Sequence, residues 1–525
     1  MSYAHIGAPT PFNGTNPWTG GDSKLHSDAG GTTGTENLNQ WFTHGDVGFI
    51  IVCSAMVMIM VPGLGFLYSG LARRKSALSL IWACVGSSAV VTFQWYFWGY
   101  SLSLSSSATN GYIGNLKHFA LQNTLGAPSP GSPLIPELLY SFYQLQFAAV
   151  TVAIVMGAIA ERGRLLPAMV FAFVWTTLVY CPLCCWVWNV NGWAFKWGVL
   201  DYAGGGPVEI GSGVAALAYS LVLGKRQEKM LLNFRPHNVS LITLGSVLLW
   251  FGWLGFNGGS AFGSNLRAII ACWNTNLAAI SSALTWVLLD YRLAKKWSMV
   301  GLCSGLISGL VAATPASGFI PPHASVLLGV TAGFVCNYAT KIKYLIHIDD
   351  TMDVFAEHGV AGMVGLVFNG FFGADFIIGL DGVNNGITGG WLNHNWKQLY
   401  IQICYILAVT AYTFIVTLLI CYAINAIPGL QLRATEQAEL LGMDDDQLGE
   451  FAYDYVEVRR DYLAWTPAKE YHNQISPLTA GDRHGIAAHS EMIEGSTIHY
   501  GTGSSLNGGG SSASQAQVEI NEKKD

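Results

Sequence analysis

Residues 47–72 read VGFIIVCSAMVMIMVPGLGFLYSGLA, a run that contains no Asp, Glu, Lys or Arg. A helix of about 20 apolar residues crosses the roughly 30 Å hydrocarbon core of a bilayer. Further uncharged runs recur along the chain as far as residue 432. The sequence therefore predicts an all-α polytopic membrane protein.

The composition supports this class and argues against several others. The 525 residues are 51% hydrophobic and only 11% charged, whereas soluble domains carry about 25% charged residues. The net charge of −6 leaves no basic footprint for nucleic acid. The cysteines lie mostly in apolar runs, and Cys181, Cys184 and Cys185 have no following His or Cys set. We therefore predict no metal site, no cofactor and, without a nucleophile–base set, no enzyme.

The uncharged runs predict eleven membrane spans. Thr314-Pro315 and Pro321-Pro322 divide the long run 298–340 into two spans, because proline interrupts a helix. The run that begins at residue 353 is apolar apart from Glu357 and His358. The predicted spans are 47–70, 77–101, 138–160, 165–188, 202–223, 238–258, 268–289, 298–315, 324–341, 353–373 and 399–427.

Basic residues predict the orientation, because Lys and Arg in short loops favour the cytoplasmic side. Every odd-numbered span through the ninth is followed by a basic cluster, and the loops after even spans carry much less positive charge. The N-terminus is therefore predicted outside and the C-terminus in the cytoplasm. The clusters contain Arg73, Arg74, Lys75, Arg162, Arg164, Lys225, Arg226, Lys229, Arg292, Lys295, Lys296, Lys341 and Lys343.

Four regions follow from these boundaries. Residues 1–44 are predicted to be an extracellular segment, 45–430 the transmembrane transport domain, 431–470 a cytoplasmic regulatory segment, and 471–525 a disordered tail with Gly/Ser low complexity. Asn13 begins an Asn-Gly-Thr acceptor for N-glycosylation in the external segment, and an unused chance sequence is the alternative.

Two ionisable residues, Glu209 and His358, lie deep within predicted spans. A charge near the bilayer centre costs roughly 2.5–3.5 kcal/mol on insertion scales, so such residues usually face a cavity and a partner. The alternative is a structural pair that locks two helices together, although a buried ion pair is a weak source of stability.

The surroundings of these two residues repeat. Asp201 precedes Glu209 by eight residues, and Asp350 precedes His358 by eight. This predicts two inverted five-helix halves plus an eleventh helix, with a site at their interface. Eight helical residues span about 12 Å, which would place Asp201 near the outer mouth above Glu209. Small residues suit close approach of the two helices, namely Gly211, Gly213, Gly362 and Gly365.

Aromatic residues form a second group in spans 3, 4 and 6. For any one of them, core packing or lipid contact is the simpler interpretation. A ring set near an acidic mouth would suit a small cation, since a cation over an aromatic face gains about 0.5–2 kcal/mol. The group comprises Phe147, Trp188, Trp253 and Phe256.

Several long stretches, in order along the chain, resemble the ammonium transporter (Amt/Mep/Rh) family, most closely its fungal Mep branch. The resemblance covers about residues 40–460. Its stretches are Phe147-Ala-Ala-Val-Thr-Val-Ala-Ile-Val-Met-Gly-Ala-Ile-Ala-Glu-Arg162, Asp201-Tyr-Ala-Gly-Gly205, Phe251-Gly-Trp-Leu-Gly-Phe-Asn-Gly-Gly-Ser-Ala261, and Asp349-Asp350 through Asp353-Val-Phe-Ala-Glu-His-Gly359.

The resemblance implies a homotrimer of eleven-span subunits in the plasma membrane, each with its own pore. It implies recruitment of ammonium at Trp188 and Ser260, with Asp201 as a nearby structural acid. It also implies a paired aromatic gate at Phe147 and Phe256, and a pore-lining tryptophan at Trp253.

The chain departs from the family pattern at the pore pair. Most members carry two facing histidines; here the second is His358 and the first position holds Glu209, a change that some fungal members share. A mechanism that needs two imidazoles is therefore in doubt. The stretch from Gly449 through Glu450 to Tyr453 resembles the family's C-terminal regulatory motif, with Leu448 in place of a usual histidine; an ordinary exposed helix end is the alternative.

These observations predict a transporter for ammonium and methylammonium. The ion would lose its proton past the gate, ammonia would cross the lumen, and the proton would be relayed through the Glu209–His358 pair. Other hypotheses stay open: a neutral ammonia facilitator, another type of ion channel, and an ammonium sensor whose tail engages cytoplasmic regulatory partners. The carboxylate of Glu209 also predicts weaker exclusion of other cations than in a two-histidine pore.

Overall fold

The computed structural model describes residues 42–125, 127–227, 235–384 and 386–453, and these residues form helices and loops without a β-strand. The predictions for Asn13, the rest of the external segment before residue 42, and the tail from residue 454 onward lie outside the described residues. The all-α membrane class is confirmed.

Eleven apolar helical segments run in chain order. They are α1 His44–Leu71, α2 Arg74–Leu104, α3 Glu137–Ile159, α4 Leu165–Trp197, α5 Gly205–Leu223, α6 Val239–Gly259, α7 Leu266–Ala294, α8 Met299–Ala313, α9 Pro322–Leu345, α10 Phe355–Phe372 and α11 Lys397–Asn425. Each overlaps one predicted span.

Not all of these segments meet the length and hydropathy that a simple span requires. Nine are long and apolar enough in the described ranges. α10 meets the criterion only when it is counted together with the helix Asp375–Asp381, from which a bend of 111° separates it. The segment α8 is shorter, at 15 residues. The number of spans is thus nine to ten by this measure within the described part of the chain, and eleven stays a prediction.

The loops after α1, α3, α5 and α9 meet at one end of the bundle, which we call the basic face. Arg226 connects them: it contacts Glu161 Oε2 at 2.8 Å and both carboxylate oxygens of Asp349, at 2.8 and 2.9 Å. Arg73 bonds the other oxygen of Glu161. Burial would raise the pKa of Asp349, but its hydrogen bonds and attraction to Arg226 outweigh burial and lower that pKa to about 2.

The segment after α11 packs on the basic face through two short helices, α12 Glu436–Leu441 and α13 Met443–Gln447. The carboxylate of Asp444 accepts hydrogen bonds from the backbone N–H groups of Leu78 and Ser79, near the start of α2. Such groups have no partner within their own helix, so a carboxylate stabilises them. The segment is therefore joined to the helix bundle by specific contacts.

The two functional helices, α5 and α10, approach each other very closely. A Cβ added to Gly213 would lie 2.3 Å from the backbone nitrogen of Gly359, and one added to Gly362 would lie 2.8 Å from Cβ of Glu209. Only glycine permits this separation, as the small residues of these helices predicted. The close contact brings the side chains of Glu209 and His358 together.

Candidate transport pathway

Glu209 and His358 both lie on π-helical turns at the start of their helices. The turns are Gly205–Ile210 and Phe355–Val360. Such turns are rare and occur often at functional sites, because the extra residue in the turn redirects a side chain. α5 ends at the basic face and α10 begins there, so the two segments run in opposite directions, as the inverted repeat predicted.

An aspartate caps each turn. The carboxylate of Asp201 accepts hydrogen bonds from the N–H groups of Gly204, Gly205 and Gly206, at 3.0, 2.6 and 2.7 Å. Asp350 accepts from Val354 and Phe355, at 3.2 and 2.9 Å. Both carboxylates stabilise donors that a helix start leaves unpaired.

The spacing of eight residues predicted Asp201 near the outer mouth, about 12 Å along the helix from Glu209. Its placement in the structure differs from this expectation. Asp201 precedes the helix rather than lying on it, and it is fully buried. Its oxygens are occupied by backbone donors, which the spacing of eight residues alone could not show. The geometry makes Asp201 a positioning residue for the turn instead of a direct ligand of an ion.

The two pore residues are in direct contact. Nδ1 of His358 lies 2.9 Å from Oε2 of Glu209, and both side chains are buried. An ionised carboxylate only accepts hydrogen bonds, so Nδ1 carries the hydrogen when Glu209 is ionised. Nε2 of His358 has no partner within the described ranges.

The second oxygen of Glu209, Oε1, is also available. It is buried and has no hydrogen-bond partner in the part of the chain that the structure describes, although the hydroxyl of Thr314 lies nearby. Buried polar atoms rarely remain without a partner in native proteins, so such an atom points to a ligand or water. The pair can therefore hold a proton between its members and present one open atom on each side.

A stack of rings leads toward this pair. Phe147 and Phe256, the predicted gate, stack with centroids 3.8 Å apart. Trp253 follows, with its centroid 5.7 Å from Phe256 and 6.5 Å from His358. Its Nε1 donates to Thr314 at 2.8 Å, which holds the ring in place. The aromatic residues that the sequence singled out thus form one continuous set.

Trp188 and Ser260 lie on the far side of this stack from the pair. Trp188 packs edge-on against Phe147 at 6.0 Å, and its Nε1 donates to the backbone carbonyl of Asp201 at 3.3 Å. Ser260 donates to the carbonyl of Phe256 at 2.8 Å. Ring face and hydroxyl oxygen are groups that attract a small cation.

Sequence reasoning missed Tyr143, Thr314 and Glu357 as site residues. The hydroxyl of Tyr143 donates to the carbonyl of Phe256 at 2.6 Å, and its ring packs on Phe147 at 4.9 Å. The spacing of four residues between Tyr143 and Phe147 places both on one helix face and could have indicated this. Nothing comparable marked Thr314, which reaches the site only through the packing of α8.

The residues of the regulatory motif fall at the end of the described segment. Gly449 has a φ of +66° and follows α13, where this conformation favours glycine. Glu450 is exposed. The hydroxyl of Tyr453 lies 2.9 Å from Nε2 of His237 and 3.2 Å from Nδ2 of Asn238, and Nδ1 of His237 lies 2.8 Å from the carbonyl of Ala72. Tyr453 thereby links the end of the segment to two loops of the basic face.

Comparison with known proteins identifies the family. The model of the Ammonium Transporter Family matches residues 48–453. Ammonium transporter MEP3 of Saccharomyces cerevisiae is 58% identical over 420 residues, which cover 80% of this chain and 86% of that protein. Ammonium transporter 2 of Schizosaccharomyces pombe is 54% identical over 441 residues, or 83% and 86% of the two chains.

A solved structure shows the same likeness. The crystal structure of Saccharomyces cerevisiae Mep2 superposes with a TM-score of 0.74 at 48% identity, and the match covers 78% of this chain and 93% of that one. Residues 48–453, which the family model matches, contain the capped turns, the ring stack and the Glu209–His358 pair. The chain belongs to the ammonium transporter family.

Proposed function

We propose that this protein takes up ammonium, and methylammonium, by recruiting the ion, removing its proton and conducting ammonia while the proton passes through the Glu209–His358 pair. The observation that carries the proposal is the 2.9 Å contact between the two buried side chains, just past a closed ring stack. Family membership supports ammonium as the cargo, and a family of transporters argues against an enzyme.

Recruitment takes place beside Trp188 and Ser260. An ammonium ion loses much of its hydration there and gains the face of the indole ring and the hydroxyl oxygen in exchange. Asp201 acts through position, since it holds the turn against which Trp188 packs. Thermal motion of Phe147 and Phe256 then admits the ion toward the pair.

Deprotonation follows from the cost of a charge in an apolar passage. An ion near the bilayer centre is disfavoured by several kcal/mol, whereas neutral ammonia is not. The open Oε1 of Glu209 is the acceptor that the structure provides. The pair already shares the Nδ1 hydrogen, so it now carries one added proton, and the two groups titrate as one unit. Ammonia continues through the lumen as a neutral molecule.

Several properties of the whole protein belong to the same proposal. The basic face lies in the cytoplasm, as positive loops favour. The chain resides in the plasma membrane as a homotrimer. The docked segment from residue 431 to Tyr453 regulates transport or binds cytoplasmic partners, because it contacts the loops that border the pathway.

The test measures current and methylammonium uptake together in reconstituted vesicles. Glu209→Ala is expected to reduce the ammonium-dependent current by at least about tenfold, because one of the two proton-carrying groups is lost. Asp375→Ala, which removes an exposed carboxylate at the end opposite the basic face, is the matched control and should behave as the original chain does.

Two outcomes would contradict the proposal. Unchanged current and pH dependence in Glu209→Ala would exclude the relay. Uptake without any current in the original chain would favour the neutral ammonia facilitator. An ammonium sensor would instead show normal uptake and lost growth signalling when residues 470–525 are deleted.

A further inference from the structure

A third buried carboxylate, Glu357, lies next to the pore pair and has no role in the steps above. It is 8% exposed, whereas Glu209 is fully buried. No Lys, Arg or His side chain of the described residues forms an ion pair with it. An intramembrane acid without a cationic partner is expensive and usually functional.

The position of Glu357 places it on the cytoplasmic side of His358. Helix α10 begins at the basic face, so Glu357 lies one residue nearer to that face than His358 does. Side chains of a helix lean toward its N-terminus, which directs this carboxylate further toward the basic face. Consecutive side chains of a helix point in different directions, so water molecules rather than direct contact would connect His358 and Glu357.

The surroundings of Glu357 lead outward to the cytoplasm. Its carboxylate interacts with the hydroxyl of Ser304 on α8 and lies in the field of Asp353 one turn earlier. Asp353 pairs with Lys343 at 2.7 Å in the loop before the helix. The titratable groups that face Glu357 are Tyr68 from α1, Cys303 from α8, Cys336 and Lys343 from α9, and Asp350 and Asp353 from the loop before α10.

The other half of the repeat lacks this carboxylate. Seven residues after its capping aspartate it has Val208, which is buried and apolar, where α10 has Glu357. Because the halves are inverted, Val208 lies toward the outer side of the pair and Glu357 toward the inner side. At this position of the two turns, only α10 has a carboxylate among the described residues.

We infer that Glu357, supported by Ser304, is the proton acceptor on the cytoplasmic side of the Glu209–His358 pair. The inference rests on the proposed function. The added proton passes from Oε1 of Glu209 through water to the open Nε2 of His358, and the resulting imidazolium releases it through water to the Glu357 carboxylate. Glu357 becomes a carboxylic acid, while His358 returns to the neutral form with its hydrogen on Nδ1. The acid then releases the proton to cytoplasmic water and returns to the carboxylate.

The test uses inside-out membrane patches that contain the full chain, with ammonium chloride in the pipette. The bath pH is changed from about 6 to about 8, on either side of the usual histidine pKa. In Glu357→Gln we expect a current at least about tenfold smaller, with no dependence on bath pH. Glu357→Asp, which keeps the carboxylate, should restore most of the current and its dependence on bath pH. Asp375→Asn, at an exposed carboxylate outside the pathway, is the matched control.

A Glu357→Gln variant that keeps the original current and the original response to bath pH would overturn the inference. If this variant does not reach the membrane, Ser304→Ala decides: a shifted midpoint of the bath-pH response supports the inference, and an unshifted one refutes it. A failure of the proposed function is separate, because the original chain would then give no ammonium-dependent current in any bath.

Discussion

The segments around Glu209 and His358 share one backbone arrangement, but the side chains that they present differ in chemistry. Each consists of an aspartate, a short connection that contains a residue with positive φ, and a six-residue π-helical turn that opens a membrane helix. In each, the carboxylate of the aspartate accepts backbone N–H groups at the start of the turn. Yet the eighth residue after the aspartate is an acid in one half and an imidazole in the other.

This difference shows which parts of the repeat support the site and which perform chemistry. The caps and glycines are shared, because any side chain presented at this depth needs a broken helix and a close neighbour. The presented side chains differ, because a proton held between Glu209 and His358 needs one acceptor and one group that can donate. The seventh residue differs too, as Val208 and Glu357, and the inferred role of Glu357 rests on this difference.

The largest expected effect comes from removing the two capping aspartates. Asp201→Ala leaves three backbone donors without an acceptor and should lower the free energy of unfolding by about 3 kcal/mol or more. Asp350→Ala leaves two and should cost less. Thermal unfolding in detergent, followed by tryptophan fluorescence, compares them. Equal losses would mean that the caps do not act through these hydrogen bonds.

The link between the halves gives a second prediction. Asp349, next to the second cap, pairs with Arg226 beyond the end of α5. Its folded pKa of about 2 lies below the ordinary 3.8, so the pair stabilises the fold above about pH 4 and loses this effect as the pH falls toward 2.

Asp349→Asn should therefore remove roughly 2 kcal/mol at neutral pH, on the basis of 1.36 kcal/mol for each pKa unit. Its stability should also fall less steeply with acid than that of the original chain. Asp375→Asn, at an exposed carboxylate of the opposite end, is the control. Parallel acid titrations of the Asp349 variant and the original chain would contradict the assignment.

The third prediction concerns the side chain at the position of Glu209 and its effect on cation selectivity. Glu209→His makes the two halves alike at the presented position and removes a carboxylate that attracts cations. We expect potassium permeability to fall by about tenfold, equivalent to roughly 1.4 kcal/mol. Potassium flux into reconstituted vesicles measures it. Equal flux through both pores would mean that Glu209 does not weaken selectivity.

Much of the fold was accessible from residue patterns. Uncharged runs predicted every apolar helix because a bilayer excludes charge along the whole length of a span. The pair was predicted as well, because an ionisable residue at that depth is costly and therefore rare. The spacing of eight residues revealed the equivalence of α5 and α10, although each match in it was weak.

The sequence by itself determined the class, the helix positions and the two presented residues, since each follows from local hydropathy and from the cost of a buried charge. What those residues contact depends on the tertiary structure. It placed Asp201 in the cap, joined Nδ1 of His358 to Glu209 and gave Glu357 no ion-pair partner among the described residues. These contacts connect residues up to 149 positions apart, and they depend on backbone breaks and close glycine packing that no local pattern specifies.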